Sequence, residues 1–265
     1  MTPVYLRSTE GVSLYSGASV AGSGMLVVHS DLNADGTGAF TCSASGNISV
    51  VAPPVTRLLF TVADIALDAS CEITATIAPV QIEQSQGSGI IEVGSPLGNL
   101  AISNAELNVI TTSSYLMIGG QRTGNVTVME LDHSSVVGEL FFVGQSLVHF
   151  TGSGISTSTR AMKADAGGLN GQVVVSARVS GLSVNMTARA GIDVTANISS
   201  TGGYISIDGD SEEAQSGVTS LGSGVYLTAM GGDLLLSEHQ GSYLDIVTPV
   251  SVSYTHLTLP TICSV

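Results

Sequence analysis

Along this chain apolar and polar residues alternate in short runs, and glycine opens many of them. Between Gly171 and Asp208 the text reads GQVVVSARVS, GLSVNMTARA, GIDVTANISSTG and GYISID, with runs opening at Gly171, Gly181, Gly191 and Gly203. Alternation with a period of two predicts strands, and a return about every ten to twelve residues is the spacing of short strands joined by turns. In Leu182-Ser-Val-Asn-Met-Thr-Ala188 the alternation points Leu182, Val184 and Met186 inward and leaves Ser183, Asn185 and Thr187 on the solvent face. The same reading places strands at 12–14, 25–28, 39–42, 48–51, 58–62, 65–67, 72–77, 80–83, 90–93, 100–102, 107–110 and 116–118. It continues at 125–129, 140–143, 147–150, 173–177, 182–188, 192–196, 204–207, 225–229, 234–236 and 244–247. Helix is nearly absent: only Ser103–Leu107 suggests a single turn. Pro53 and Pro54 belong to a loop or edge, because neither donates to a ladder. The Ser/Thr/Gly stretch Thr151–Thr159 reads as a loop.

A longer copy lies over this beat. Gly24-MLVVHSDLNADGT-Gly38 aligns without gaps on Gly203-YISIDGDSEEAQS-Gly217, with Gly24/Gly203, Asp31/Asp210 and Gly38/Gly217 identical. Such self-similarity predicts a repeat architecture in which each unit buries its apolar face by stacking on its neighbours. The expected fold is all-β, a right-handed parallel β-helix, with a β-sandwich array as the alternative. With two or three strands per coil, coils of about 20–30 residues would give about ten coils and a rod about 50 Å long.

Composition fits a buried core: 43% of residues are hydrophobic and only 11% are charged. The net charge of −14 reflects a shortage of bases, with one Lys (Lys163) and six Arg, so phosphate backbones would be repelled and nucleic-acid binding is not expected. No apolar stretch is long enough to span a membrane as a helix. Cys42 and Cys71 each lie beside a strand. They read as two buried free thiols; pairing would require stacked coils to bring their Cα atoms within about 7 Å.

The end of the chain is of another kind. Residues 252–261, Val-Ser-Tyr-Thr-His-Leu-Thr-Leu-Pro-Thr, resemble the translation of a transposase sequencing adapter. Residues 251–265 are therefore read as a non-native tail and left out of fold reasoning. Residues 1–250 are read as one solenoid segment, a metagenomic fragment of a longer repeat protein.

The succession of an acidic Gly loop, GNISV, VADIALDASCEITATI, GSGIIEVGS, GNLAISNAELNVITTSSYLMIGG and GNVTVMELD resembles the long repeats of filamentous-haemagglutinin-like surface proteins. The resemblance covers most of residues 12–250. It implies a parallel β-helix, an extracellular or cell-surface location, and a structural or adhesive role toward host or matrix glycans or other surface proteins.

Candidate sites are few. Asp31, Asn33 and Asp35, with Gly36, match the first half of an oxygen-rich calcium loop. Cys42 stands where the closing acid belongs, so the loop reads first as an exposed Asx/Gly turn and calcium is the competing reading. Asn47, Asn125, Asn185 and Asn197 each satisfy the N-glycosylation pattern, relevant to a eukaryotic source. His29, His133, His149 and His239 lack metal-ligand spacing, and no catalytic or cofactor motif is present. The alternative function, a polysaccharide lyase or hydrolase on the same fold, needs clustered acids with bases beside them. Here the acids are scattered on turns, and the expectation is a structural segment without enzymatic activity.

Overall fold

The computed structural model describes residues 3–51, 57–94, 99–132, 138–211, 217–237, 243–246, 251–253 and 257–258. Pro53, Pro54, His133 and His239 fall outside them. The chain winds through three faces per turn. The first coils are β1 (Val4–Arg7), β2 (Gly11–Leu14) and β3 (Ser19–Gly22), then β4 (Leu26–His29), β5 (Ala39–Cys42) and β6 (Asn47–Val50), then β7 (Leu58–Val62), β8 (Asp64–Leu67) and β9 (Glu72–Ala75). Next come β10 (Val80–Gln84), β11 (Gly89–Val93), β12 (Leu100–Ile102), a one-turn helix α1 (Asn104–Leu107) and β13 (Ile110–Thr112). The stack continues through β14 (Tyr115–Gly119), β15 (Thr123–Asp132), β16 (Glu139–Gly144), β17 (Leu147–Ala166), β18 (Gln172–Val175) and β19 (Val179–Ala188). It then runs through β20 (Ile192–Val194), β21 (Ile198–Ser200), β22 (Ile205–Asp208), β23 (Val218–Leu221), β24 (Tyr226–Ala229), β25 (Leu234–Ser237) and β26 (Tyr243–Ile246). Two short strands, β27 (Ser251–Ser253) and β28 (Leu257–Thr258), follow.

Every strand pairing among the described residues is parallel, and all but the β11–β12 pair join one coil to the next, which defines a β-solenoid and excludes the sandwich. The first face shows why the sequence folds this way. Val4, Leu26, Leu58, Val80, Leu116, Leu140, Met162, Val184, Ile205 and Leu234 stand in one register column, most of them about 22 residues apart in sequence. From Leu26 to Leu234 that column is at most 1% exposed. Two positions on, Val28, Phe60, Ile82, Ile118, Phe142, Ala164, Met186 and Ile207 form a second buried column. Each fully buried side chain of this size removes apolar surface worth about 1.5–3 kcal/mol from water. No single coil could do so alone, and stacking is therefore the fold-defining event.

Three coils are longer than the rest, for visible reasons. Two hold the acidic loops, one between β4 and β5 and its sequence copy between β22 and β23. The third holds β12, which pairs back onto β11 and packs beside β8, and α1, which packs beside β15. Ser103 and Glu106 close both ends of a capping box on α1, as the expected single turn requires, and Glu106 Oε1 also accepts the Leu67 N–H at 3.2 Å. Leu107, expected to open a strand, instead ends this helix.

Three expectations are corrected. Cys42 and Cys71 form a disulfide, with Cα atoms 6.0 Å apart. The solenoid step sets Leu67 above Cys42, and the following turn, closed by the Cys71 N–H to Asp68 carbonyl bond, folds Cys71 back over it. Thr151–Thr159 is not a loop but part of β17, pairing with β15 below and β19 above. Parallel ladders need no apolar side chains, and Ile155 alone points a large one inward there. Leu182 is 41% exposed because β19 turns a corner between Gly181 and Ser183, and the alternation restarts at Val184.

The terminal strands extend two faces, β27 on β24 and β28 on β25. Deleting residues 251–265 is expected to shift the unfolding free energy by less than about 0.5 kcal/mol in thermal denaturation. A loss of several kcal/mol would make the tail an integral coil.

Candidate functional site

The most developed surface feature lies on the first face. A groove of about 870 Å³ there is lined by Arg57, Gln81, Glu83, Tyr115, Met117 and Asp165 together with the turns at 120–122 and 145. Its floor follows from strand alternation: Gln81 and Glu83 are outward positions of β10, Met117 of β14 and Asp165 of β17. Gly120 makes room for the floor. A Cβ there would lie 2.7 Å from Gln81 Nε2 and 2.9 Å from a Glu83 oxygen.

The floor is tied together before any ligand arrives. Arg57 donates to Gln81 Oε1 at 2.8 Å, Gln81 Nε2 donates to the Gly119 carbonyl at 3.2 Å and to Glu83 at 3.3 Å, and the Thr61 hydroxyl donates to Glu83 at 3.0 Å. Thr187 donates to Asp165 at 3.1 Å. The half-buried Tyr115 ring stacks on Phe141 with centroids 4.8 Å apart, and the Lys163 ammonium sits 5.9 Å from the Phe141 centroid. Arg57 and Arg122, on a chain with only seven basic residues, thus both line one groove.

The acidic loop is built differently from a cation site. Asp31, expected on an exposed turn, is fully buried, and its carboxylate accepts the N–H groups of Asp35 at 3.2 Å and Gly36 at 3.0 Å and the Ser85 hydroxyl at 2.6 Å. Asn33 presents its amide nitrogen to Asp35 at 2.6 Å, while the Thr37 hydroxyl and N–H bond the other Asp35 oxygen. These Thr37 donors hold the Asp35 carboxyl below its ordinary range. The second sequence copy reproduces the anchor: Asp210 is also fully buried, and a Cβ on Gly38 or Gly217 would collide with the carbonyl of Ser30 or Gly209. Asp31 thus braces its turn, and Gly38 and Gly217 admit close backbone approach.

Among the described residues, no three His, Cys, Asp or Glu side chains converge as metal ligands. His149 Nε2 lies 2.7 Å from Ser176 Oγ, but that hydroxyl donates to the Phe150 carbonyl at 3.1 Å, so the imidazole N–H is the donor and the pair braces a strand end. Burial holds His149 below its ordinary range. Asn47, Asn125 and Asn185 lie within strands and are half-buried, Asn47 donating to Glu72 at 3.3 Å. Asn197 is exposed, and its Oδ1 accepts the Tyr226 N–H at 2.9 Å.

No helix among the described residues is long and apolar enough to cross a membrane. Comparison with protein-family models, curated proteins and solved structures returns no match to this chain.

Proposed function

We propose that this chain is a structural and adhesive segment of a large secreted or cell-surface repeat protein, presenting a rigid face to glycans or other surface proteins. The observation that carries this reading is the union of an unbroken parallel stack with one outward groove whose polar floor is already hydrogen-bonded. Such a surface loses little order on binding. The Cys42–Cys71 bridge supports an oxidising, extracellular setting, since disulfides persist there and are rare in the cytosol. The acidic, base-poor surface suits a protein that stays soluble while exposed.

The reading is tested with beads carrying the chain, flowed over surfaces coated with matrix polysaccharides or with cells. Retention above beads carrying an unrelated acidic protein is expected. Equal retention on every surface would remove the adhesive role.

A further inference from the structure

The groove on the first face has the chemistry of a sugar site. We propose that it binds a neutral polysaccharide chain lying along the solenoid axis, an inference that rests on the adhesive reading and names its ligand.

Shape comes first. The lining runs from Arg57, which precedes β7, across β10, β14 and β16 to Asp165 and Gly167. Five successive strands at about 4.8 Å spacing make a track about 19 Å long, suited to a linear ligand of several units. The side chains match such a ligand. Tyr115, stacked on Phe141, offers apolar ring surface for the C–H face of a pyranose. Arg57, Gln121, Gln145 and Asp165 are planar groups able to bridge neighbouring hydroxyls. Gln81 and Glu83 are held by Arg57 and Thr61, so the floor needs no rearrangement.

Charge and topology exclude the competitors. Within the groove Glu83 and Asp165 balance Arg57 and Arg122, so it offers no net positive charge, and the chain's net charge of −14 disfavours polyanions such as uronates or nucleic acids. An extended peptide captured by strand addition needs a free edge. Here the floor strands are paired on both sides, β10 with β7 and β14, and β14 with β10 and β16.

The test titrates the full chain with cellohexaose, laminarihexaose, mannohexaose and hexagalacturonate, followed by ligand-detected saturation-transfer NMR. At least one neutral hexasaccharide is expected to bind with a Kd of about 0.1–1 mM, and hexagalacturonate more weakly. Tyr115→Ala and Asp165→Ala are expected to weaken binding about tenfold, while Tyr226→Ala, exposed on a distant coil, leaves it unchanged. Should Tyr115→Ala fail to fold, Arg122→Ala and Gln121→Ala in the exposed turn serve instead, each lowering affinity by about threefold or more. Absence of binding by all neutral sugars up to about 10 mM, equal binding of hexagalacturonate, or insensitivity to the groove variants would overturn the proposal. The two readings part in the bead assay. Retention that survives the groove variants sinks the sugar site alone, and soluble binding without retention sinks the adhesive role alone.

Discussion

Replacing both Cys42 and Cys71 by Ala is expected to lower the unfolding free energy by about 3–4 kcal/mol, measured as a fall in the urea midpoint. The bridge closes a loop with a sequence separation of 29 and ties the end of β5 to the turn entering β9 one coil above. Open, that loop gains most of its entropy in the unfolded chain, which is where a disulfide of this span acts. Both cysteines are almost fully buried, so the substitution also leaves a small void beside Leu14 and Leu67. Reductant should lower the wild-type midpoint toward that of the double variant, which lies lower still by the void, and leave the variant unmoved. A loss below about 1 kcal/mol would mean that stacking alone fixes these coils.

The second large effect is expected at Asp31. Asp31→Ala removes a buried carboxylate and strands the Asp35 and Gly36 N–H groups and the Ser85 hydroxyl, a loss of about 3–4 kcal/mol. Asp35→Ala, in the same acidic motif but exposed, should move the stability far less than Asp31→Ala does. Calcium should leave the melting temperature of the wild type unchanged, because the oxygens of Asp31 are already committed to donors within the loop. A calcium-dependent rise abolished by Asp31→Ala would show instead that the loop opens to receive the ion.

Much of this architecture was legible because alternation and stacking are one constraint. Ala39–Cys42, Leu58–Val62 and Leu100–Ile102 carry apolar residues on the inward side, and their strand limits follow from that. Where the backbone makes strand with little apolar help, the text is silent, as at Gly152–Ser156, where Ile155 alone packs inward. Corners defeat a fixed period, which is why Leu182 turned outward. The disulfide depends on coil length, and three coils deviate in length, two through the acidic loops and one through an inserted strand. The groove was hidden for a different reason. Gln81, Glu83, Tyr115 and Asp165 are ordinary solvent-face residues in sequence, up to 84 positions apart, and only the coil register brings them onto one surface. The spacing of Gln81 and Glu83 on β10, followed by Tyr115 and Met117 on the strand above, is the one signal that could have pointed to it.

Stacking of the first face can be measured directly by double electron–electron resonance between spin labels along one outward column, in a Cys263→Ser background. Tyr5, Lys163, Ser206 and Leu235 occupy that column, six, eight and nine strands from Tyr5. At about 4.8 Å per strand the solenoid predicts separations from Tyr5 of about 29, 38 and 43 Å, rising in proportion to strand number. Distances that stop rising, or that reverse between Lys163 and Leu235, would contradict a continuous parallel stack and with it the groove built upon it.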